Sequence, residues 1–175
     1  PELMQTRPDA PDRALVLFTS DRGLCGSYNV NLLKRVMEYS KAISAKGGTV
    51  HFFVVGKKGR DFLTRHGFSI EKEYLNFMKQ PSFAQAGLLA REALDFYRSN
   101  PKVGGVDCVF ADFQSMLRQA PALMALVPTV AAAPDAEDAG AKSAKAREAI
   151  FDYIYEPKRQ VILEELLPRY VSTQI

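Results

Sequence analysis

Thr19-Ser20-Asp21-Arg22-Gly23-Leu24-Cys25-Gly26 is a polar turn bracketed by glycines, set between an apolar run at residues 14–18 and a helical pattern. Residues of these types can do two kinds of chemistry. The backbone N–H groups of Gly23 and Gly26 can approach a phosphate at the N-terminus of the following helix. A thiol in the same place, Cys25, can act as a nucleophile when a neighbouring base lowers its pKa. Neither reading has its full apparatus. The spacing G-x-x-G lacks the third glycine of a dinucleotide fingerprint, and the next strand ends Val55-Gly56 without an acid for a ribose. The histidines, His51 and His66, fall in a strand pattern and at a helix end, with nothing to bring either to Cys25. Cys25 therefore reads as a small buried or half-buried residue, and Asp21 with Arg22 as a local ion pair that fixes the turn.

The remaining candidates are plainer. Gly56-Lys57-Lys58-Gly59 lacks the P-loop spacing and reads as a solvated basic turn. His51 reads as a half-buried strand residue. Asp107 and Asp112 flank a strand without converging as an acid and a base. The residue types thus predict no catalytic residue, no cofactor site and no metal ligands, and glycines that make a tight strand-to-helix connection.

The elements that position these residues follow from hydrophobic period. Residues 1–13, with three prolines, read as an extended lead-in. Continuous apolar runs at 14–19 and 50–55 predict strands covered on both faces. Between them Val30, Leu33, Val36 or Met37 and Ile43 recur at helical spacing, with Asn29 as N-cap and Gly47-Gly48 as the stop. A short helix ending at Gly67 and a short strand over 68–73 follow. Ser82 and Gln85 form a capping box for a helix whose apolar face is Ala86, Leu89, Ala90, Ala93, Leu94 and Tyr97. Gly104-Gly105 leads into a strand over 106–113, and residues 120–127 return antiparallel to it. The alternation predicts an α/β fold with a mainly parallel, doubly covered sheet of about five strands, Rossmann-like but not nucleotide-binding, with one antiparallel pair. Residues 131–147 read as a mobile loop, and 149–155 as a last strand. A closing helix begins at Pro157 and carries a wide apolar stripe that asks for a partner helix. The expected division is a globular domain over 1–155 and the start of a C-terminal coiled-coil helix over 156–175.

Composition narrows the function classes. The 175 residues are 47% hydrophobic and 25% charged, the balance of an ordinary globular domain that needs no disulfide or metal staple. A net charge of +3, not gathered into one basic run, gives no case for nucleic acid. The two cysteines, Cys25 and Cys108, lack the spacing of a disulfide framework or a zinc site. No apolar run reaches the length of a membrane-spanning helix. The first residues carry neither an initiator methionine nor a signal core, and the last ones stop within a helical pattern, so an interior segment of a longer protein is expected.

The glycine turn, with Asn29 after it, closely resembles a signature of the gamma subunit of the rotary F-type ATP synthase. Further motifs resemble the same family, in the same order: Gly56-Lys57-Lys58-Gly59-Arg60; Phe113 with Gln119 and Pro121, then Leu126-Val127-Pro128; Tyr153-Ile154-Tyr155-Glu156-Pro157; and Leu166-Leu167-Pro168-Arg169-Tyr170-Val171. Ser27-Tyr28 and Ala111-Asp112 depart from the family pattern without removing a group that it uses for chemistry. The extra cysteine-bearing insert of the chloroplast form is absent, so thiol control is not expected. The resemblance implies a non-catalytic rotor domain between membrane ring and catalytic head. Its partners would be the epsilon subunit, the c-ring, and the alpha and beta subunits through coiled-coil helices that this chain largely lacks. It implies that Tyr153, Tyr155 and Glu156 meet the c-ring, where tyrosines give rigid contact area and a carboxylate can pair with a basic loop residue. It also implies peripheral attachment at the cytoplasmic face of a bacterial inner membrane, or the matrix side in a mitochondrion, without direct insertion. From the residues alone, a small nucleotide-binding or thiol-dependent enzyme of doubly wound fold and an adaptor using the closing helix remain open.

Overall fold

The computed structural model describes residues 3, 5–23, 27–77, 82–115 and 118–128. Eight elements follow in chain order: β1 (Asp12–Phe18), α1 (Tyr28–Ala45), β2 (Val50–Val55), α2 (Lys57–Arg65), β3 (Ile70–Tyr74), α3 (Phe83–Ser99), β4 (Val103–Ser115) and β5 (Arg118–Val127). The strands form one sheet in the order β3-β2-β1-β4-β5. Among the described strands only β4 and β5 pair antiparallel; the other pairings are parallel. This is the predicted α/β architecture.

Alternation along the strands divides the core in two. Leu15, Leu17, Phe52, Val54 and Val109 face α1 and α2, meeting Leu32, Val36, Tyr39 and Leu63. Ala14, Val16, Phe53, Val55, Val106 and Cys108 face α3, meeting Leu89, Ala90, Ala93, Leu94 and Tyr97. Because both faces are covered, every residue from Ala14 to Leu17 is fully buried, which is why β1 reads as an unbroken apolar run. Each large apolar side chain so buried contributes about 1.5–3 kcal/mol.

Topology then sets where a site belongs. From β1 the chain steps outward through α1, β2, α2 and β3, and α3 carries it back across the other face to β4, on the far side of β1. The reversal puts a switch point at the carboxyl end of β1, the usual place for a ligand in an open sheet. The glycine turn leaves β1 there.

Several expectations change. Ser27, not Asn29, occupies the N-cap of α1, and Asn29 is the second residue of the helix, its side chain bonded to Ser20. The basic segment is not a four-residue turn: α2 starts at Lys57, leaving Gly56 alone as the turn and Gly59 in the helix. Gly104-Gly105 lies inside β4, where the β1 register shifts between Asp12 and Ala14. There Ala10 O and the Arg13 side chain occupy the space that side chains at 104 and 105 would fill. β3 sits slightly later than predicted. The lead-in is also shorter, since Asp12 and Arg13 already belong to β1 and Leu3 is buried in the α3-side core. Ser82 is the N-cap of α3 as expected, Gln85 N–H donating to Ser82 Oγ at 3.2 Å, which is the Ser82 half of the capping box. The predicted loop at 131–147, the strand at 149–155 and the closing helix lie outside the described residues.

Candidate functional site

A helix N-terminus leaves its first amides without intrahelical partners, and those amides are what binds a phosphate. At α2 the chain supplies its own acceptors. Lys57 N–H donates to Asp21 Oδ1 at 3.1 Å, Lys58 N–H to Ser20 O at 3.1 Å, and Gly59 N–H to Thr19 Oγ1 at 2.9 Å. Gly56 N–H donates to Tyr74 O at 3.0 Å, so all four amides at this end are satisfied. The Asp21 carboxylate also stands where the helix dipole favours an anion, and it accepts Asn76 N–H at 3.3 Å.

The acceptors are themselves held. Thr19 is buried, and its N–H and Oγ–H both donate to Val55 O, at 2.8 and 2.9 Å. Ser20 N–H donates to Asn29 Oδ1 at 3.1 Å, and Asn29 Nδ2 donates to Ser20 Oγ at 2.7 Å. The turn after β1 is therefore bonded into the turn after β2, with α1 tied in through Asn29. Asp21 serves the amides of Lys57 and Asn76. The exposed Lys57 and Lys58 side chains lie around this junction, with Lys58 Nζ 3.4 Å from the position of a Cβ on Gly23.

The other candidates are engaged structurally. His51 is half-buried as expected; its Nδ1 lies 2.9 Å from Glu71 Oε1, and its ring packs against Phe96. His66 stacks on Phe62, with Nδ1 2.9 Å from Phe62 O. Asp112 is exposed. Among the described residues no group of three or more His, Cys, Asp or Glu side chains is placed to hold a metal ion. Cys25, Tyr153, Tyr155 and Glu156 lie outside the described residues.

Sequence reasoning missed a buried ionic network at the opposite end of the sheet. Asp107 accepts Arg13 Nε–H at 2.8 Å and Arg13 Nη2–H at 2.6 Å, and it also accepts the Tyr39 hydroxyl. Burial works against the Arg13 charge, but the hydrogen bonds and charge of Asp107 outweigh it and raise its pKa. Burial, then the Asp107 charge, push the Tyr39 phenol well above its ordinary value and the Cys108 thiol up to about 12. A signal existed: an Asp inside the apolar run 106–110 requires a cationic or donor partner.

These raised values give a pH dependence. Between an ordinary thiol pKa and about 12, the folded chain keeps a proton on Cys108 that the unfolded chain releases. The associated stability is complete below pH 9 and is lost as pH rises, by about 1.4 kcal/mol per unit for this thiol. Tyr39 adds in the same direction above pH 10. Urea midpoints are expected to fall from pH 9 upward, less steeply in Cys108→Ala. A profile flat to pH 10.5 contradicts the buried, protonated thiol.

A family model described as ATP synthase matches residues 1–175. The "ATP synthase gamma chain" of Nitratidesulfovibrio vulgaris strain Hildenborough is 35% identical over 173 residues, covering 99% of this chain and 56% of that protein. The one from Heliobacterium modesticaldum is 37% identical over 160 residues, covering 91% and 52%. The chain thus spans about half the length of the curated relatives it matches. Among solved structures, the central stalk and c-ring of the Tetrahymena thermophila mitochondrial ATP synthase gives a TM-score of 0.64 at 18% identity, over 94% of this chain and 66% of that one. The rotor of the Euglena gracilis mitochondrial enzyme gives 0.59 at 21%, over 93% and 58%. At that identity the two structures attest the shared fold. With the family model matched over residues 1–175 and proteins named ATP synthase gamma chain aligning along 91–99% of its length, the chain belongs to the family of ATP synthase gamma chains.

Proposed function

We propose that this chain is the globular part of the central-stalk gamma subunit, a rotor element that binds the epsilon subunit and rests on the c-ring. It couples ion flow through that ring to ATP synthesis at the alpha and beta subunits and carries out no chemistry itself. The observation that carries this reading is the self-filled strand-end crevice. The amides that would hold a phosphate at α2 are taken by Thr19, Ser20 and Asp21, so the chain itself occupies that helix end and the turn after β1 is joined to the turn after β2. A body that transmits torque needs stiffness, which a close-packed core and cross-bonded loops supply. Coupling between distant sites then proceeds through a rigid element.

In this reading Tyr153, Tyr155 and Glu156 meet the polar loops of the ring, and the alpha and beta subunits are reached by helices beyond the globular part. Attachment to the membrane is peripheral, on the side of the catalytic head, which is the cytoplasmic face in a bacterium. No helix among the described residues is long and apolar enough to cross a membrane.

Two measurements test the proposal together. The chain is expected to co-purify with a matched epsilon subunit in low-salt buffer and to give no binding heat with ATP or NAD. Failure to co-purify overturns the rotor reading. Nucleotide binding that disappears in Gly23→Val supports a doubly wound enzyme in its place.

A further inference from the structure

The lead-in segment before β1 has no apolar periodicity, yet it is fastened to the body at several points. Arg7 Nη1 donates toward three carbonyls: Tyr97 O at 2.8 Å, Asn100 O at 3.2 Å and Val103 O at 3.2 Å. These belong to the last turn of α3, its C-cap and the first residue of β4. The guanidinium carbon lies 3.9 Å from the centroid of the Tyr97 ring. One cation thus satisfies carbonyls at a helix end, complements the dipole there and stacks on an aromatic face.

The backbone just after Arg7 is seated as well. Ala10 O lies where a Cβ on Gly104 would approach to 2.4 Å, and Pro11 O where one on Gly48 would approach to 2.0 Å. Asp12 N–H donates to Lys102 O at 3.1 Å, and Arg13 N–H donates to Thr49 O at 2.9 Å. The segment is gripped on one side by the β4 entry and on the other by the β2 entry, the two strands that flank β1.

We propose that residues 7–11 form a torque joint, with Arg7 as its pin. Twist applied to the chain on the N-terminal side of β1 passes through the guanidinium into α3 and β4, as well as along β1. Without the pin, β1 alone carries the twist and the segment peels from the α3 end. The inference rests on the rotor reading above, and two readouts keep the two apart.

The first readout is hydrogen exchange in this chain, which does not depend on rotation. In Arg7→Ala the amides of Asp12 and Val103 are expected to exchange about tenfold faster while the centres of β1 and β2 are unchanged. Arg7→Lys, which keeps the charge but loses the planar fork, is expected to fall between. Tyr97→Phe, which keeps the ring beneath the guanidinium, is expected to match wild type, since the Tyr97 hydroxyl has no hydrogen-bond partner among the described residues. The second readout places the substitutions in the complete gamma chain of an assembled rotary complex. Arg7→Ala is expected to lose ATP-driven rotation speed under viscous load while unloaded rotation and ATP hydrolysis stay at wild type. A purely structural Arg7 changes exchange but not the load dependence, and that outcome overturns the joint. Unchanged exchange overturns the pin. A wild-type chain that does not assemble into the complex overturns the rotor reading.

Discussion

Asp107→Ala is expected to destabilise the chain by about 3–5 kcal/mol, the cost of breaking a buried ion pair and leaving one member behind. Asp107 is 5% exposed and accepts two bonds from Arg13 and one from Tyr39. Its loss orphans a guanidinium and a phenol together. The Arg13 side chain retains 21% exposure and can recover some hydration, so the lower end of that range is expected. Asp107→Asn is expected to cost less, because an amide oxygen still accepts one Arg13 N–H, although its NH2 then faces a donor. The combined replacement Arg13→Met, Asp107→Leu and Tyr39→Phe removes every polar group of the cluster and is expected to recover most of the loss. Urea unfolding followed by circular dichroism reads these values. A loss below about 1 kcal/mol for Asp107→Ala, at unchanged m-value, shows that the network is not a buried pair in solution.

The network also shows where sequence reading stops. Ala14–Leu17 and Val50–Val55 were legible as strands because both faces are covered, so apolar content alone identifies them. The parallel order followed from alternation of strands and helices. Gly104-Gly105 reads in the sequence as leading into a strand that starts at 106. Within β4, however, Gly105 leaves space for Val127 O and the Arg13 guanidinium, a Cβ there lying 2.3 Å from Val127 O and 2.5 Å from Arg13 Nη1. That reason is tertiary, invisible until residues far apart in sequence are brought side by side. Asn29 misled in the same way. Its type suits an N-cap, but its partner is the Ser20 turn and not its own helix.

At the glycine turn the legible part was negative. The missing third glycine and missing ribose acid argue against a dinucleotide at the start of α1, and what the structure adds is at α2, whose first amides are taken by Thr19, Ser20 and Asp21. The lead-in was the least legible segment. Arg7 carries no pattern that announces three carbonyl partners and a stacked ring. The two devices lie at opposite ends of β1, one bonding its exit to α2 and the other its approach to α3. Both convert polar loop residues, which would ordinarily be solvated, into cross-links of the body.

Gly56→Ala tests the first device most severely, and a loss of about 4 kcal/mol or more is expected. Two effects add. Gly56 has φ +94° and ψ 144°, a region that is essentially confined to glycine and costs other residues about 1–3 kcal/mol. A Cβ there would also lie 2.1 Å from Thr19 O and 2.7 Å from Thr19 C. Those are backbone atoms and cannot rotate aside, and Thr19 is doubly bonded to Val55 O. Relief requires the turn after β1 to move away from α2, which breaks the bonds to Lys57, Lys58 and Gly59 together. Gly67→Ala separates the two effects, since Gly67 has φ +71° but nothing within 4 Å of its Cβ position. Only strain operates there, and a loss of about 1 kcal/mol is expected. Exchange at the amides of Lys57, Lys58 and Gly59 should rise in Gly56→Ala and stay unchanged in Gly67→Ala. Equal losses for the two variants would mean that strain alone matters and that the Thr19 contact does not hold the loops together. A selective loss at Gly56, with those three amides released, identifies the close approach of the two loops as what closes the crevice.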